Sequence, residues 1–559
     1  MTQPSPAPVP APGIAPALGA EELRRLLATA AAGARGFVVA IGAGRYLEAS
    51  DTAALVIADE QRKFNGDRAV YLHLSPPLPH GGLAPHGPEP IPFEIALDGA
   101  LRGIATAGAV GLALASLAAG PLAALPRLLV VHALAGHRPE AIAALAACLR
   151  PRHAFFWLHD HAVACGNPLL LRNDIAFCHA PPPASIACRI CRHGPARPAH
   201  IARVRALFEA VRFHVVAPSA EALALFRQAT DLPSEGLLVH PHLRLAPADT
   251  APPPACPDGK VRVAFVGPAT VANGWPRFAA LVARVAGDAA FVQVGGDAAS
   301  HPLPGVAPLV AARAPNKPFA VVRALAEHRI DFLLALAIWP EPFPTAAFEA
   351  RAAGADILTT GPGLPAMAEA IVLADDAALA EFFASGRAAA HAHARRAAAA
   401  PPPVLQHAGS TATIALGEAV APITEAPDVH LLLRGARLDG TQTGGTQAGG
   451  TWRFTLPPAE PADARRMVRL RSRHLRGAWD RAAEGERRRL GIAVTALALD
   501  GTPVPPNDPR RAGGWHKPDA DWQWTDGDAG LIVGTAQCLD IEIRPLGRYW
   551  RVPLLLAAP

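Results

Sequence analysis

Residues 331–360 have the sequence DFLLALAIWPEPFPTAAFEARAAGADILTT, and this stretch decides the fold. The apolar runs at 331–338 and 356–360 predict strands, and the pattern from Pro344 to Ala353 predicts a helix between them. Parallel strands need a long crossover, usually a helix, whereas antiparallel strands can be joined by a two-residue turn. The stretch therefore predicts a parallel α/β sheet with helices on both faces.

The same alternation of strand and helix extends on both sides of this stretch. The runs at 261–266 and 290–296 predict two further strands of a domain that we place at residues 260–400. A Pro-rich hinge at 246–259 separates it from an earlier domain at 21–245. The strand candidates of the earlier domain are GFVVAIG at 36–42, AVYLHLS at 69–75, RLLVVHA at 127–133 and HAFFWL at 153–158. We therefore expect two Rossmann-like domains with a ligand cleft between them.

The two ends of the chain differ from these domains in composition. Residues 1–20 are rich in Pro and Ala and predict a disordered tail. Residues 401–424 are predicted as a linker. Residues 425–559 are predicted as a mainly β, sandwich-like module, because short alternating runs there are separated by Gly, Pro and Asp turns. The tryptophans of this module either stack on sugar rings or belong to its core.

The composition excludes several classes of protein. The 559 residues include 52 Lys and Arg against 47 Asp and Glu, a net charge of +5, and only 18% of them are charged. This balance is too weak for a dedicated nucleic-acid-binding protein. The seven cysteines are an odd number, which favours a reducing compartment over a disulfide scaffold. We therefore expect a cytoplasmic protein.

One uncharged stretch has nearly the length of a membrane span. Residues 103–126 contain no charged side chain. They are mostly Ala and Gly, and Pro121 and Pro126 break the end of a helix there, so a buried helix is favoured over a span. The apolar helix and the net positive charge also suit a peripheral association with the inner face of the plasma membrane.

The stretch at 331–360 also holds two candidate functional carboxylates. Glu341 falls in the predicted turn after a strand, and Glu349 lies eight residues later inside the predicted helix. The start of that helix offers free backbone N–H groups that suit a phosphate, and a carboxylate suits sugar hydroxyls. The combination favours a nucleotide-sugar as the ligand. The alternative is that Glu341 caps the helix and Glu349 is a solvent-exposed residue.

Residues 339–354, WPEPFPTAAFEARAAG, resemble the E-x7-E signature of retaining glycosyltransferases of the two-Rossmann-domain GT-B class, the family 4-like group. Gly267 together with ANGWPRF at 272–278 is similar to the K-G-W-x-x-F region of that family. FWLHD at 156–160 is similar to its strand-then-HD element. The resemblance covers residues 125–400, and residues 164–198 look like a Cys-rich insertion found in some members.

The resemblance implies a hexosyltransferase that moves a sugar, with retention, from a nucleotide-diphosphate-sugar donor to a surface-polysaccharide or lipid-linked glycan acceptor. It implies that Glu341 contacts the donor sugar near the reacting carbon and that His159 contacts the sugar from the opposing domain. Glu349 would bind the ribose of the donor. The other donor-binding residues that the resemblance implies are Asn273, Gly274, Phe343 and Thr345. No catalytic metal is expected.

Two positions depart from the pattern of that family. Residues 268–273, PATVAN, contain no Arg or Lys to pair with a diphosphate, and Asn273 occupies the usual lysine position. Pro344 has no N–H to offer a phosphate. Arg277 is a candidate for the missing charge. These departures keep open a non-catalytic glycan- or nucleotide-binding protein of the same fold and, as a third hypothesis, an epimerase or phosphorylase.

Four of the seven cysteines lie close together in the sequence. They are Cys165, Cys178, Cys188 and Cys191, and the last two form a C-x2-C pair. Thiolates at this spacing suit a tetrahedral structural zinc. The alternatives are buried free thiols and a redox pair.

Overall fold

The computed structural model describes the chain except for residues 1–15, 50, 79–80, 88–91, 124, 248–259, 286, 362–363, 365–368, 399–400, 408, 416–422, 425–426, 435, 447–448, 460–465, 474, 477–488, 520, 545–548 and 551–559. Most of the predicted tail and of the predicted hinge therefore lies outside the described residues. The chain divides into two compact units, residues 1–413 and 414–559, and each unit has a fold of its own.

The first unit starts with an eight-stranded sheet. Its strands are β1 (Gly36–Ile41), β2 (Ala69–Ser75), β3 (Pro92–Leu97), β4 (Ala100–Thr106), β5 (Arg127–Val131), β6 (His153–Trp157), β9 (Phe213–Ala217) and β10 (Gly236–Val239), while β7 (Leu171–Arg172) and β8 (Ala176–Phe177) form a separate hairpin. The strand order is β10-β9-β6-β5-β1-β2-β3-β4, and all pairs from β10 to β2 are parallel. Every residue of β1 is buried, which explains its uninterrupted apolar sequence GFVVAI.

The described residues of this first domain form seven helices. They are α1 (Ala20–Ala31), α2 (Thr52–Gly66), α3 (Ala107–Ala118), α4 (Pro139–Leu149), α5 (Ile186–Arg189), α6 (Arg197–Ala210) and α7 (Ala220–Ala229). Leu23 and Leu27 of α1 and Leu114 of α3 are buried in the same apolar cluster as strand residues such as Phe37 and Leu129. Helix residues therefore share one core with the strands.

The uncharged stretch at 103–126 differs from its prediction. Residues 103–106 belong to β4, which pairs with β3 through a turn at Asp98 and Gly99, both with positive φ. Two successive residues with positive φ characterise the tight turns of β-hairpins. A helix is present only at Ala107–Ala118, with Val110, Leu114 and Leu117 buried. In the part of the chain that the structure describes, no helix has both the length and the apolar character that crossing a bilayer requires.

The second domain of this unit is the one built around the stretch at 331–360. Its strands, among the residues that the structure describes, are β12 (Arg262–Val266), β13 (Ala290–Gly295), β14 (Val306–Val310), β15 (Phe332–Leu334), β16 (Asp356–Thr359) and β17 (Ile371–Val372). Its helices are α8 (Trp275–Arg284), α9 (Ala320–Glu327), α10 (Thr345–Ala352), α11 (Asp376–Ala384) and α12 (Arg387–Ala398), with a short 3-10 turn at Ala298–Ser300. The order β14-β13-β12-β15-β16-β17 is parallel throughout, which confirms the two Rossmann-like domains.

The predicted linker at 401–424 contains regular structure. Strand β18 (Val404–His407) pairs antiparallel with β11 (Leu243–Ala246), which follows the last strand of the first domain. Thr411, at the start of α13 (Thr411–Ala415), then contacts residues of the first domain, described below. Residues 404–413 are therefore an integral part of the first unit, and they connect its two domains a second time.

The described residues of the second unit form two larger antiparallel sheets and two short two-stranded ones, β19-β33 and β25-β26, which agrees with the predicted mainly β module. Its strands are β19 (Ile423–Thr424), β20 (His430–Leu433), β21 (Ala436–Asp439), β22 (Thr441–Thr446), β23 (Gly449–Thr455), β24 (Met467–Arg471), β25 (Leu475–Arg476), β26 (Arg489–Leu490), β27 (Ala493–Leu499), β28 (Thr502–Pro503), β29 (Arg511–Ala512), β30 (Gln523–Trp524), β31 (Asp528–Ile532), β32 (Cys538–Arg544) and β33 (Tyr549–Trp550). The orders of the two larger sheets are β21-β20-β24-β31-β29 and β22-β23-β32-β27-β28, and apolar residues of both share one core.

The tryptophans of this unit combine packing with polar contacts. Trp452 and Trp515 pack against the core, and the Trp515 indole N–H donates to the Gly530 carbonyl at 2.8 Å. Arg511 lies over the Trp515 ring, and Arg544 lies over the Trp522 ring. These contacts favour the core hypothesis over sugar stacking for Trp515.

Candidate active site

A cavity of about 580 Å3 lies at the carboxyl ends of the second-domain strands. The chain runs from β12 outward to β14, and then returns to β15 and continues to β17 on the other side, so β12 and β15 flank the point where the strand order reverses. Gly267 and Pro268 after β12, residues 335–337 after β15 and Thr345 of α10 all line the cavity. Such a reversal point is where open α/β sheets bind ligands.

Glu341 lines this cavity from the loop between β15 and α10. Its side chain is partly buried, and burial raises the pKa of its carboxyl to about 7, while Arg313 acts in the opposite direction. The carboxyl is therefore poised to exchange a proton near neutral pH. Its position in a turn after a buried strand is the predicted one.

Glu349 is held in a buried ion pair that the sequence analysis did not predict. Its carboxylate accepts hydrogen bonds from the Arg313 guanidinium, Nε to Oε1 at 2.7 Å and Nη2 to Oε2 at 2.5 Å. Glu349 is 1% exposed, so its interpretation as a solvent-exposed residue was wrong. Burial raises the pKa of Glu349, and the contact with Arg313 opposes that shift.

Arg313 is the functional residue that sequence reasoning missed. It follows β14, an edge strand of the sheet, and it lines the cavity. Burial acts to lower its pKa, but Glu349, Glu341 and Asp51 outweigh this effect and raise it. No local motif surrounds it in the sequence AARAPN, because its partner Glu349 lies 36 residues away.

The remaining charges of the cavity are mostly negative. Asp51, Asp297 and Glu341 are acidic lining residues, and Arg313 is the one Arg or Lys among the lining residues that the structure describes. Arg277, the predicted candidate for the missing charge, does not line the cavity. Its guanidinium instead pairs with Asp376 and Thr360. A diphosphate would therefore depend on Arg313 and on backbone N–H groups for its charge stabilisation.

The predicted residues of the glycine turn have different roles. Asn273 lines the cavity, and its amide Nδ2 donates to the Pro268 carbonyl at 3.2 Å. Gly274 precedes α8 with φ of 83°, and a Cβ there would collide with the Leu336 carbonyl. Gly274 is thus required for the close approach of α8 to the chain after β15, and it does not line the cavity.

Phe343 and Thr345 line the cavity and also contact the first domain. The hydroxyls of Thr345 and Thr52 are 2.6 Å apart, and the rings of Phe343 and His242 are 5.2 Å apart. The helix α10 starts at Thr345, one residue later than predicted, with Pro344 as the preceding cap residue. These contacts place the start of α10 against the facing edge of the first domain.

His159 lies in the first domain directly after β6, but the structure does not bring it to the cavity. Its ring stacks on Trp157 at 5.5 Å and on His242 at 5.0 Å, and its Nε2 is 3.1 Å from Nδ1 of His132. Burial, reinforced by His242 and His132, lowers the pKa of His159 well below its usual value. Between His159 and the cavity lie His242 and Phe343, which contact each other.

The four clustered cysteines line a second, small cavity in the insertion. Among the described residues, no group of three or more His, Cys, Asp or Glu side chains is arranged to hold a metal ion. The buried Arg197 donates to the Cys188 sulfur at 2.8 Å, which places a cation where zinc would need a thiolate free to coordinate. This contact favours free thiols, of which Cys165 and Cys188 are buried and Cys178 and Cys191 are partly buried, and the zinc stays a prediction that metal analysis tests.

Two parallel α/β domains with a cavity at their facing edges define a GT-B fold for the first unit. No family model and no curated protein matches the sequence. Solved structures of similar fold include Anabaena Alr3699/HepE in complex with UDP and glucose, at 13% identity and a TM-score of 0.38 over 66% of this chain and 96% of that one. The lipopolysaccharide outer core galactosyltransferase WaaB is 10% identical, with a TM-score of 0.37 over 65% and 95% of the chains. The α,α-trehalose 6-phosphate synthase of Burkholderia multivorans is 13% identical, with a TM-score of 0.35 over 66% and 95%.

Proposed function

We propose that the protein is a glycosyltransferase that transfers a hexose, with retention, from a nucleotide-diphosphate-sugar to a glycan or lipid-linked acceptor. One observation carries the proposal. Glu341, the first turn of α10 and the glycine turn after β12 line a single cavity at the point where the strand order reverses. This brings together a carboxyl group for a sugar and the positive end of a helix for a phosphate.

The chemistry of the site assigns a different task to each group. The positive end of the α10 dipole and the charge of Arg313 would stabilise the leaving diphosphate, on which negative charge develops. Glu341 would contact the sugar near the reacting carbon. Glu349 would bind the ribose after its ion pair with Arg313 rearranges.

Binding of the donor tests this proposal before any acceptor is known. Thermal-shift or calorimetric titration with nucleosides, nucleoside diphosphates and nucleotide-sugars should identify one base that stabilises the fold. Glu349→Gln keeps the shape of the side chain and should weaken that binding. Glu381→Gln on the exposed surface of α11 is the matched control and should leave it unchanged. If no nucleotide binds at millimolar concentration, the proposal fails.

A specific observation favours a second candidate function. The described lining of the cavity has three acidic residues against one arginine, and that arginine is already paired with Glu349. A neutral sugar or a nucleoside suits such a cavity better than a diphosphate does. A non-catalytic binding protein would bind the nucleoside as tightly as its diphosphate, which the same titrations measure.

We also propose that the Cys-rich insertion docks on an anionic membrane surface. Its residues Ile175, Ile186 and Ile190 are 69%, 68% and 62% exposed. Arg192 contacts Asn173 and Asp174, so the β7–β8 hairpin lies beside the end of α5. Arg172, Arg189 and Arg192 of this segment are also exposed, and exposed apolar side chains with cations suit such a surface.

Flotation with vesicles tests the docking surface. The protein should float with vesicles that contain phosphatidylglycerol, and the double variant Ile186→Ser, Ile190→Ser should float less. Val372→Ser, at an equally exposed valine of the second domain, is the control. Equal flotation of all three proteins would contradict the proposal.

A further inference from the structure

Two neighbouring residues of the loop that carries Glu341 contact one side chain of the first domain. The carbonyl oxygen of Pro340, the residue before Glu341, lies 3.1 Å from Nε2 of His161. The Trp339 ring meets the same imidazole edge to face, with 6.1 Å between the ring centroids and 81° between the planes. His161 therefore has both a polar and an aromatic contact with the loop, although it lies 179 positions before Pro340 in the sequence.

The direction of this hydrogen bond follows from the carbonyl group. A carbonyl oxygen only accepts, so Nε2 of His161 carries a proton and donates the hydrogen bond. His161 is 4% exposed, and burial lowers its pKa, although the contact with Pro340 acts in the opposite direction. The imidazole is therefore neutral at neutral pH, and its one proton lies in the contact with the loop.

The turn that carries His161 is itself held by several hydrogen bonds. The side chain of Asp160 accepts one from the Ala162 backbone N–H at 2.8 Å. The His161 backbone N–H donates to the Pro168 carbonyl at 2.8 Å, and the His161 carbonyl accepts from the Ala164 N–H at 3.0 Å. Pro168 and Ala164 belong to the Cys-rich insertion, so the insertion fixes the position from which His161 reaches the second domain.

The sequence around Glu341 explains why the loop benefits from such a contact. Pro340 and Pro342 flank Glu341, and proline has no backbone N–H to donate. The carbonyl oxygen of Pro340 can still accept, and His161 supplies its donor. Because one planar peptide group joins the Pro340 carbonyl to the Cα atom of Glu341, a donor that fixes this carbonyl also fixes the point from which the Glu341 side chain extends.

We propose that His161 is a positioning residue for Glu341, whose imidazole donates to the Pro340 carbonyl from the other domain and so holds the Glu341 carboxyl group at the wall of the cavity. A loop released from this contact lets Glu341 turn toward water. The effect on sugar transfer rests on the proposed function, whereas the effect on Glu341 itself does not.

The environment of Glu341 is measured on the ligand-free protein. With 13Cδ-labelled glutamate, the signal absent from Glu341→Gln belongs to Glu341, and its titration gives the pKa of that carboxyl, which burial raises to about 7. His161→Phe keeps an aromatic ring beside Trp339 and removes the donor, so the Glu341 pKa should fall toward 4.5 as water reaches the carboxyl. His161→Gln offers an N–H donor in place of Nε2 and should restore the wild-type value.

Two results of this titration would overturn the proposal. One is a Glu341 pKa that is the same in the wild type and in His161→Phe. The other is a pKa in His161→Gln that is no closer to the wild type than that of His161→Phe. Unfolding curves show whether each spectrum comes from folded protein, and His161→Ala, for which the same fall is expected, replaces His161→Phe if the latter does not fold.

His137→Phe is the matched control. His137 is also a buried histidine of the first domain, its Nε2 donates to the Gly42 carbonyl at 2.7 Å, and its ring stacks on Phe93 at 5.6 Å. The variant removes one hydrogen bond from an imidazole to a carbonyl but leaves the loop of Glu341 untouched, so the Glu341 pKa should keep its wild-type value. An equal fall in His137→Phe would indicate a general loosening and would overturn the specific role of His161.

Under the proposed function, the same contact affects the transfer step. Loss of one hydrogen bond should lower kcat by about 2- to 12-fold in His161→Phe, and His161→Gln should recover it. The dissociation constant of the nucleoside diphosphate should stay unchanged, because its proposed contacts are with Glu349, Arg313 and α10. An unchanged kcat, or a diphosphate affinity that falls by the same factor, would overturn the assigned effect on transfer. If no nucleotide binds while the Glu341 pKa falls as expected, the proposed function fails and the positioning role of His161 stands.

Discussion

The cavity of the second domain and the histidine cluster of the first domain (His132, His159 and His242) each contain a carboxyl group, but the two carboxyl groups have different surroundings. Glu60 is fully buried beside His132, whereas Glu341 is partly buried and lines the cavity. Glu60 receives three hydrogen-bonding partners, whereas Glu341 has a raised pKa because burial is opposed only by the charge of Arg313. A carboxylate whose oxygens have hydrogen-bonding partners suits a fixed structural role. A carboxyl group with a pKa near neutrality suits a site that binds a ligand.

Removal of Glu341 should have the largest effect. Glu341→Ala removes a loop carboxyl that contacts the transferred sugar under the proposed function, so the transfer rate should fall by about 100-fold or more. The fold should remain, because Glu341 lies in a loop outside the apolar clusters. The rate of sugar transfer and the melting temperature are the two measurements. An unchanged rate would remove Glu341 from the reaction.

Breaking the buried ion pair should mainly affect stability. Arg313→Ala leaves the Glu349 carboxylate buried without its partner, which should lower the free energy of unfolding by about 3–5 kcal/mol. Arg323→Ala, at an exposed arginine of α9, should change it by less than about 0.5 kcal/mol. Denaturant unfolding of the two variants provides the comparison. Equal stability would show that the pair is unimportant for the fold.

The raised pKa of Glu341 predicts a pH dependence with a definite sign. Because the folded state raises this pKa from 4.5 to about 7, the proton is bound more tightly in the folded chain. The stability that this group contributes is complete below about pH 4.5 and is lost as the pH rises through about 7. Glu341→Gln should lose this component, so its unfolding free energy should change less with pH over that interval. Parallel curves for both proteins would contradict the raised pKa.

Metal removal should have the smallest effect. Because Arg197 contacts Cys188, we expect purified protein to contain no stoichiometric zinc and a chelator to leave its melting temperature unchanged. Elemental analysis measures the zinc content, and calorimetry measures the melting temperature with and without the chelator. One tightly held zinc per chain would restore the metal hypothesis and would require Arg197 to move away from the cysteine cluster.

The contrast between the two regions also explains what the sequence could predict. The position of Glu341 and Glu349 was evident because strand, turn and helix follow one another within thirty residues, and such patterns are local. The pairing of Arg313 with Glu349, and of Glu60 with His132, depends on which distant segments meet, and no local pattern encodes that. The hairpin of β3 and β4 had a local signal, Asp98-Gly99, which favours a tight turn directly before the uncharged stretch that was predicted as a helix.

The return of the chain to the first domain has a consequence for folding during synthesis. Thr411 provides a backbone donor for Glu60 and a hydroxyl acceptor for Trp157, although both of these residues are made long before it. In a ribosome-bound chain that ends before residue 411, the buried Glu60 carboxylate therefore lacks one hydrogen-bond donor. The missing hydrogen bond lowers the stability of the first domain by about 1.5–3 kcal/mol. The first domain to be synthesised is thus among the last to be completed, and its histidine cluster reaches its final form only after the whole second domain has emerged.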